Sequence, residues 1–145
     1  MSHFKNLIIV TAGGLCYGLV EIAWRGSTHI SMFLVGGLCF MLIGSLDEVP
    51  DPPPLLWQAA MSSILVTTIE FTSGVFLNII FDLGVWDYSK MPYNVLGQIC
   101  LLFSGLWFLL SIPAIYFEDF LRFALFGERM KRLPLLKSKR QREPA

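Results

Sequence analysis

A chain of 145 residues that is 54% hydrophobic and 15% charged, with mean hydropathy +0.61, is too apolar for an ordinary soluble domain, where charged residues make up about a quarter. Eleven basic and eleven acidic side chains cancel, yet eight of the Lys and Arg lie after residue 120, so a zero net charge conceals a basic C-terminal end. The composition excludes a second folded unit and leaves one helical membrane domain, residues 1–132, with 133–145 a basic, disordered cytoplasmic tail.

The first apolar run, Phe4 to Trp24, is too long for a signal-peptide core and reads as a retained span. Thr11, Gly14, Gly18, Glu21 and Arg25 recur along one side of it. Gly14 and Gly18 form a GxxxG pair suited to close helix packing, and Glu21 and Arg25, four apart, can pair near its end. The link Gly26 to His29 is short, so this span and the next, Ile30 to Leu46, form an antiparallel hairpin. His29 stands alone, without neighbouring metal ligands. Asp47 to Pro54 is a stiff acidic loop, because its prolines remove backbone donors and restrict the residues before them.

The third run, Leu55 to Phe81, is about 40 Å long as a helix, enough to cross a bilayer core of about 30 Å. Ser63, Thr67, Glu70, Gly74 and Asn78 form a small and polar stripe along it. A carboxylate at the depth of Glu70 costs about 2.5 to 3.5 kcal/mol on insertion scales, so it faces other helices or a polar cavity rather than lipid. Trp86, Tyr88 and Tyr93 in the following loop suit the headgroup level. The fourth span is expected from Val95 to Phe117, with Asn94, Gln98 and Ser104 on one face and Pro113 near its end. Glu118 to Arg132 reads as a separate interfacial amphipathic helix. Cys16, Cys39 and Cys100 are scattered among apolar residues, read as small hydrophobes, and give neither a disulfide framework nor a zinc spacing.

Arg122, Arg129, Lys131 and Arg132 follow the last span closely, which places the C-terminus in the cytoplasm, and four spans place the N-terminus there too. The expected fold is therefore an all-α integral membrane protein of the cell membrane, with four transmembrane helices in two antiparallel hairpins. Helix rise then brings Glu21, Arg25, Asn78, Asp82, Asp87, Asn94 and Gln98 toward the outer leaflet, with Glu70 about 16 Å below the outer end of its span. An outward-facing polar vestibule with a carboxyl at its floor is one reading, and an inert helix–helix hydrogen-bond network is the other.

The elements Tyr17 to Gly26, Thr67 to Phe71, Trp86-Asp87-Tyr88-Ser89 with Pro92 and Asn94, and Gly97-Gln98-Ile99 with Ser104 and Trp107 resemble the bacterial membrane proteins labelled "putative ABC-transporter type IV", a CmpB-like family. The resemblance spans nearly all of residues 7 to 126, although only Arg25-Gly26 stands here of a longer segment that other members carry after the first span. It implies a polytopic membrane protein and a permease component. No GxxxxGK[ST] loop is present, so coupling to ATP would need a separate ATPase subunit. No hydrolase constellation or HExxH appears either, and neither a catalytic set nor a cofactor or metal is assigned. The expected surroundings and partners are the lipid bilayer and other subunits in a homo- or hetero-oligomer, not nucleic acid. Two further readings stand beside a transport subunit: a membrane enzyme acting on a lipid or lipid-linked substrate at the outer leaflet through Glu21, Glu70, Asp87 and Asn94, and a scaffold or holin-like protein without a site.

Overall fold

The structure is a computed structural model, described here for residues 2–130; the basic tail 133–145 and the last residues of the expected interfacial helix lie outside the described residues. Four helices dominate: α1 (Ser2–Arg25), α2 (Ile30–Ser45), α3 (Leu55–Gly74) and α4 (Leu101–Phe126). Three stretches, His3–Arg25, Leu55–Ile80 and Leu101–Phe126, are long and apolar enough to cross a membrane. The 16 residues of α2 make only about 24 Å of helix, short of a bilayer core of about 30 Å. Leu19, Trp24, Ile30, Ile64 and Leu101 are exposed, an apolar exterior that suits lipid and not water.

Glycine decides how α1 and α2 approach. A Cβ on Gly36 would come within 2.5 Å of the Tyr17 Cβ, and one on Gly14 within 2.5 Å of the Phe33 carbonyl oxygen. Gly13 is likewise pressed against Phe40, and Gly37 against Val10. The packing pair on α1 is thus Gly13-Gly14 and not the GxxxG pair read from the sequence. Gly18 has only the Thr28 methyl near it, 3.9 Å from where a Cβ would stand. Facing α3 and α4, α2 supplies Cys39 and Ile43 to a small core with Val66 and Ile115.

The α3 stripe falls where its spacing predicts. Ser63 donates to the Ser104 carbonyl at 2.6 Å and Thr67 to the Ser104 hydroxyl at 3.0 Å, so α3 and α4 are joined by the polar face of α3. Beyond Gly74 the helix widens into a π-helical turn, Val75–Ile80, closed where Phe81 N–H reaches the Phe76 carbonyl at 2.9 Å. Asp82 and Gly84, both with positive φ, then turn the chain back.

Two expectations for α4 are corrected. The helix starts at Leu101 and not near Val95, because Asn94–Val95 (β1) and Ile99–Cys100 (β2) pair as a small antiparallel hairpin. Leu96 and Gly97 sit at φ +52° and +68° in its turn, and a right-handed helix cannot pass through them. Asn94 and Gln98 therefore do not share a helical face with Ser104. At the other end, residues 118–126 form no separate helix: α4 runs on to Phe126 with the exposed Pro113 inside it. It stops at Gly127, whose left-handed backbone lets Gly127 N–H bond the Phe123 carbonyl and Glu128 N–H the Arg122 carbonyl. His29 caps α2, accepting from the Ser31 N–H at 3.2 Å.

Candidate functional site

Glu70 is buried near the middle of the apolar α3 stretch, and both of its oxygens are held from other elements. Trp107 of α4 donates its indole N–H to Oε2 at 2.9 Å, and Tyr88 of the loop donates its hydroxyl to Oε1 at 2.9 Å. Burial first, and then the Glu70 carboxylate beside it, raise the Tyr88 phenol well above the usual range, so it stays a neutral donor. Its ring is fixed by stacking on Phe103 at 4.7 Å between centroids, and the Trp107 ring lies 5.9 Å from that of Tyr17.

A carboxylate offers about four acceptor positions, and these two donors use two of them. Glu70 also lines a partly open cavity of about 310 Å³ between α1, α2, α3 and α4, whose walls are otherwise mainly apolar: Gly13, Cys16, Met32, Val35, Cys39, Phe40 and Leu110 among them. One anchored carboxylate on a greasy wall can orient an apolar molecule that carries a cationic or hydrogen-bond-donating group.

Above Glu70 the loop 81–100 is held by its own side chains. Asn78 donates to Gln98 Oε1 at 2.8 Å and accepts from the Val85 N–H at 2.7 Å, while the Trp86 indole N–H reaches the Gln98 carbonyl at 2.9 Å. Gly74 makes room for this knot, since a Cβ there would stand 2.6 Å from Gln98 Oε1 and 3.0 Å from the Trp86 ring. Asn94 donates to the carbonyls of Ser89 and Met91 and accepts from Gly97 N–H. Asp87 accepts from the Ser89 N–H at 2.8 Å, and that bond to an exposed carboxyl holds its pKa below the ordinary value. On α1, Glu21 and Arg25 pair at 2.9 Å, Thr28 donates to Glu21 at 2.5 Å, and Arg25 donates to the Val85 carbonyl at 2.7 Å.

The seven polar residues singled out from the sequence thus divide. Glu21, Arg25, Asn78 and Gln98 are linked through Val85 into one chain of bonds at the loop end of the bundle. Asp87 and Asn94 brace the turn above it, and Glu70 alone faces the cavity. Spacing on α3 gave no sign of Tyr88 or Trp107 as its partners, although Phe103, Trp107 and Ser111 at steps of four mark a face of α4.

At the opposite end, Lys5 pairs with Glu128 at 2.6 Å, and Arg122 pairs with Glu118 and with Glu48 at 2.8 Å. Hydrogen bonding to Lys5, aided by its charge, lowers the Glu128 pKa. Asp47, Glu118 and Asp119 come together there as a buried group that could hold a metal. Sequence reading assigned no metal ligand, since Asp47 and Glu118 are far apart in the chain and meet only in the fold.

The family described as "Putative ABC-transporter type IV" matches residues 9–133. The chain belongs to that family. The match takes in α1 from residue 9 on, all of α2, α3 and α4, both carboxylate centres and the whole loop 81–100, so what was a resemblance in short motifs holds across the bundle. The family name places the chain in a transporter context. No curated protein and no solved structure matches it.

Proposed function

We propose that the chain is a permease-like subunit of a membrane transport assembly, and that its cavity receives an apolar or amphipathic molecule whose donor or cationic group meets Glu70. The observation that carries this reading is the Glu70 carboxylate, fixed by Trp107 and Tyr88 on the wall of an otherwise apolar cavity of about 310 Å³. In this reading all four helices span the cell membrane as two antiparallel hairpins, with the short α2 enclosed by longer neighbours. The contacts of Tyr17 with Gly36 and of Val10 with Gly37, and the ties of Lys5 to Glu128 and of Arg122 to Glu48, support that arrangement. The basic residues after α4 support cytoplasmic termini in this reading. Glu21, Arg25, Asn78, Asp87, Asn94 and Gln98 then shape the outward-facing mouth, while a separate ATPase subunit and further copies complete the assembly.

The test uses the purified chain in lipid nanodiscs with rhodamine 6G, a fluorescent lipophilic cation. Saturable binding should weaken at least tenfold in Glu70→Gln and likewise in Ala114→Phe, which puts a ring into the cavity. Binding that both variants leave unchanged overturns the cavity assignment. Affinity purification in mild detergent tests the subunit role: a co-purifying ATPase supports it, and recovery of the chain by itself in repeated preparations counts against it.

A further inference from the structure

The end of the bundle away from loop 81–100 gathers, among the described residues, more acidic than basic side chains. Asp47, directly after α2, lies beside Glu118 and Asp119 of α4, with one carboxylate oxygen from each within 4.8 Å of the others. All three are buried, at 5%, 0% and 8% exposure. Around them stand Glu48, Glu128, Lys5, Arg122 and Arg129, so among these described residues five carboxylates face three cations. Arg122 is divided among Glu118, Glu48 and Glu128.

Asp47 and Asp119 each have a further interaction; Glu118 differs in one of its two oxygens. Its Oε1 bonds the Arg122 Nε, while Oε2 is buried with no hydrogen-bond partner among the described residues. The carboxyl is also backed by α2, because Gly44 has no Cβ and any Cβ there would collide with it. Leaving such an oxygen unmatched in a buried place is unfavourable, and a bound cation would supply what it lacks. A cavity of about 90 Å³, bounded by Asp47, Asp119, Arg122 and Arg129, adjoins the group and has room for water.

We propose that Asp47, Glu118 and Asp119 bind a hard divalent cation, with water completing its shell. Oxygen-only donors select Ca²⁺, Mg²⁺ or Mn²⁺ over softer metals. Three protein carboxylates from separate elements in irregular geometry favour Ca²⁺, which tolerates flexible coordination, over Mg²⁺, which demands near-ideal octahedral geometry and gives up its water reluctantly. The ion would link the end of α2 to α4, which meet there also through Arg122 and Glu48.

The experiment takes the full chain in detergent, strips it with EDTA, and measures Ca²⁺, Mg²⁺ and Mn²⁺ binding by equilibrium dialysis alongside thermal unfolding. One Ca²⁺ per chain should bind and raise the unfolding temperature, with Mg²⁺ weaker. Asp119→Asn and Asp47→Asn should each weaken binding at least tenfold, while Asp51→Asn, an exposed acid of the same loop, should bind as wild type. Size-exclusion profiles identify any variant that misfolds, and the wild-type stoichiometry does not depend on the variants. No saturable binding to wild type overturns the proposal, as does binding that Asp119→Asn and Asp47→Asn leave intact. Binding that appears only after truncation beyond Met130 also overturns it, and makes the chain's own basic segment the occupant.

Discussion

Trp107 on α4 donates to Glu70 on α3 across 2.9 Å, and the indole N–H can only donate. This fixes what can replace the carboxylate. In Glu70→Gln the amide oxygen must turn toward Trp107, leaving the amide nitrogen for Tyr88, whose hydroxyl can rotate to accept. Glu70→Gln should therefore keep near wild-type thermal stability in detergent while losing any function that needs the charge. Glu70→Leu leaves both donors unmatched, and Trp107→Phe leaves the carboxylate one donor short. Each should lower stability by about 1 to 3 kcal/mol. Full cellular activity of a stable Glu70→Gln protein would exclude an ionic role for this residue.

Glycine substitutions separate the α1–α2 contact from the GxxxG spacing. Gly36→Ala puts a methyl into the Tyr17 side chain and should destabilise by about 1 to 3 kcal/mol. Gly18→Ala meets only the Thr28 methyl at ordinary contact distance and removes a weak helix former, so it should be neutral or stabilising by up to about 1 kcal/mol. Thermal unfolding of the two variants in one detergent decides the matter; equal losses would restore Gly18 to the interface.

The turn at Asp87 should depend on acid pH. Its folded pKa lies below the ordinary 3.8, chiefly through the Ser89 N–H bond, so the stabilisation is present above that ordinary value and is lost as pH falls through the folded one. Asp87→Asn retains an acceptor for the Ser89 N–H and should flatten this acid limb, whereas Asp87→Ala should weaken the loop at every pH. Unfolding temperatures between pH 3 and 7 provide the check, and parallel curves for wild type and Asp87→Asn would refute it.

Orientation can be read by labelling. Ser89 is exposed on loop 81–100 and Asp51 is exposed on the acidic loop at the opposite end. With both termini cytoplasmic, a membrane-impermeant maleimide applied to intact cells should modify Ser89→Cys and spare Asp51→Cys until the cells are opened. The reverse pattern would invert the topology. A cysteine at Ser138, the other natural choice, falls outside the described residues.

The legible part of this fold is the part governed by period. Ser63, Thr67, Glu70 and Gly74 fall on one face of α3, Asn78 follows in the π-helical turn, and these residues meet α4 and the loop as the stripe implies. What could not be read was which partner would meet each residue. Tyr88 looked like an interfacial ring and proved to be a donor to Glu70, since nothing in its neighbourhood shows that the loop folds inward. Asn94 and Gln98 matched a helical spacing, but Asn94 bonds backbone groups on both sides of it and Leu96-Gly97 adopts left-handed geometry, so local bonding displaced the helix. An Asn three residues before a Gly was the available signal. Asp47 and Glu118 left none.

α4 carries residues of both polar centres on one unbroken helix. Trp107 and Glu118 are separated by three helical turns, roughly 16 Å, and eleven residues bring the helix back to almost the same azimuth. Ser111 and Ile115 fill the interval on that side, and both are buried. A screw motion or axial slip of α4 would therefore shift the donor to Glu70 and the carboxyl beside Arg122 in the same stroke. Pro113, which withholds a hydrogen bond from the preceding turn, sits between them as the one backbone joint at which the two movements can come uncoupled.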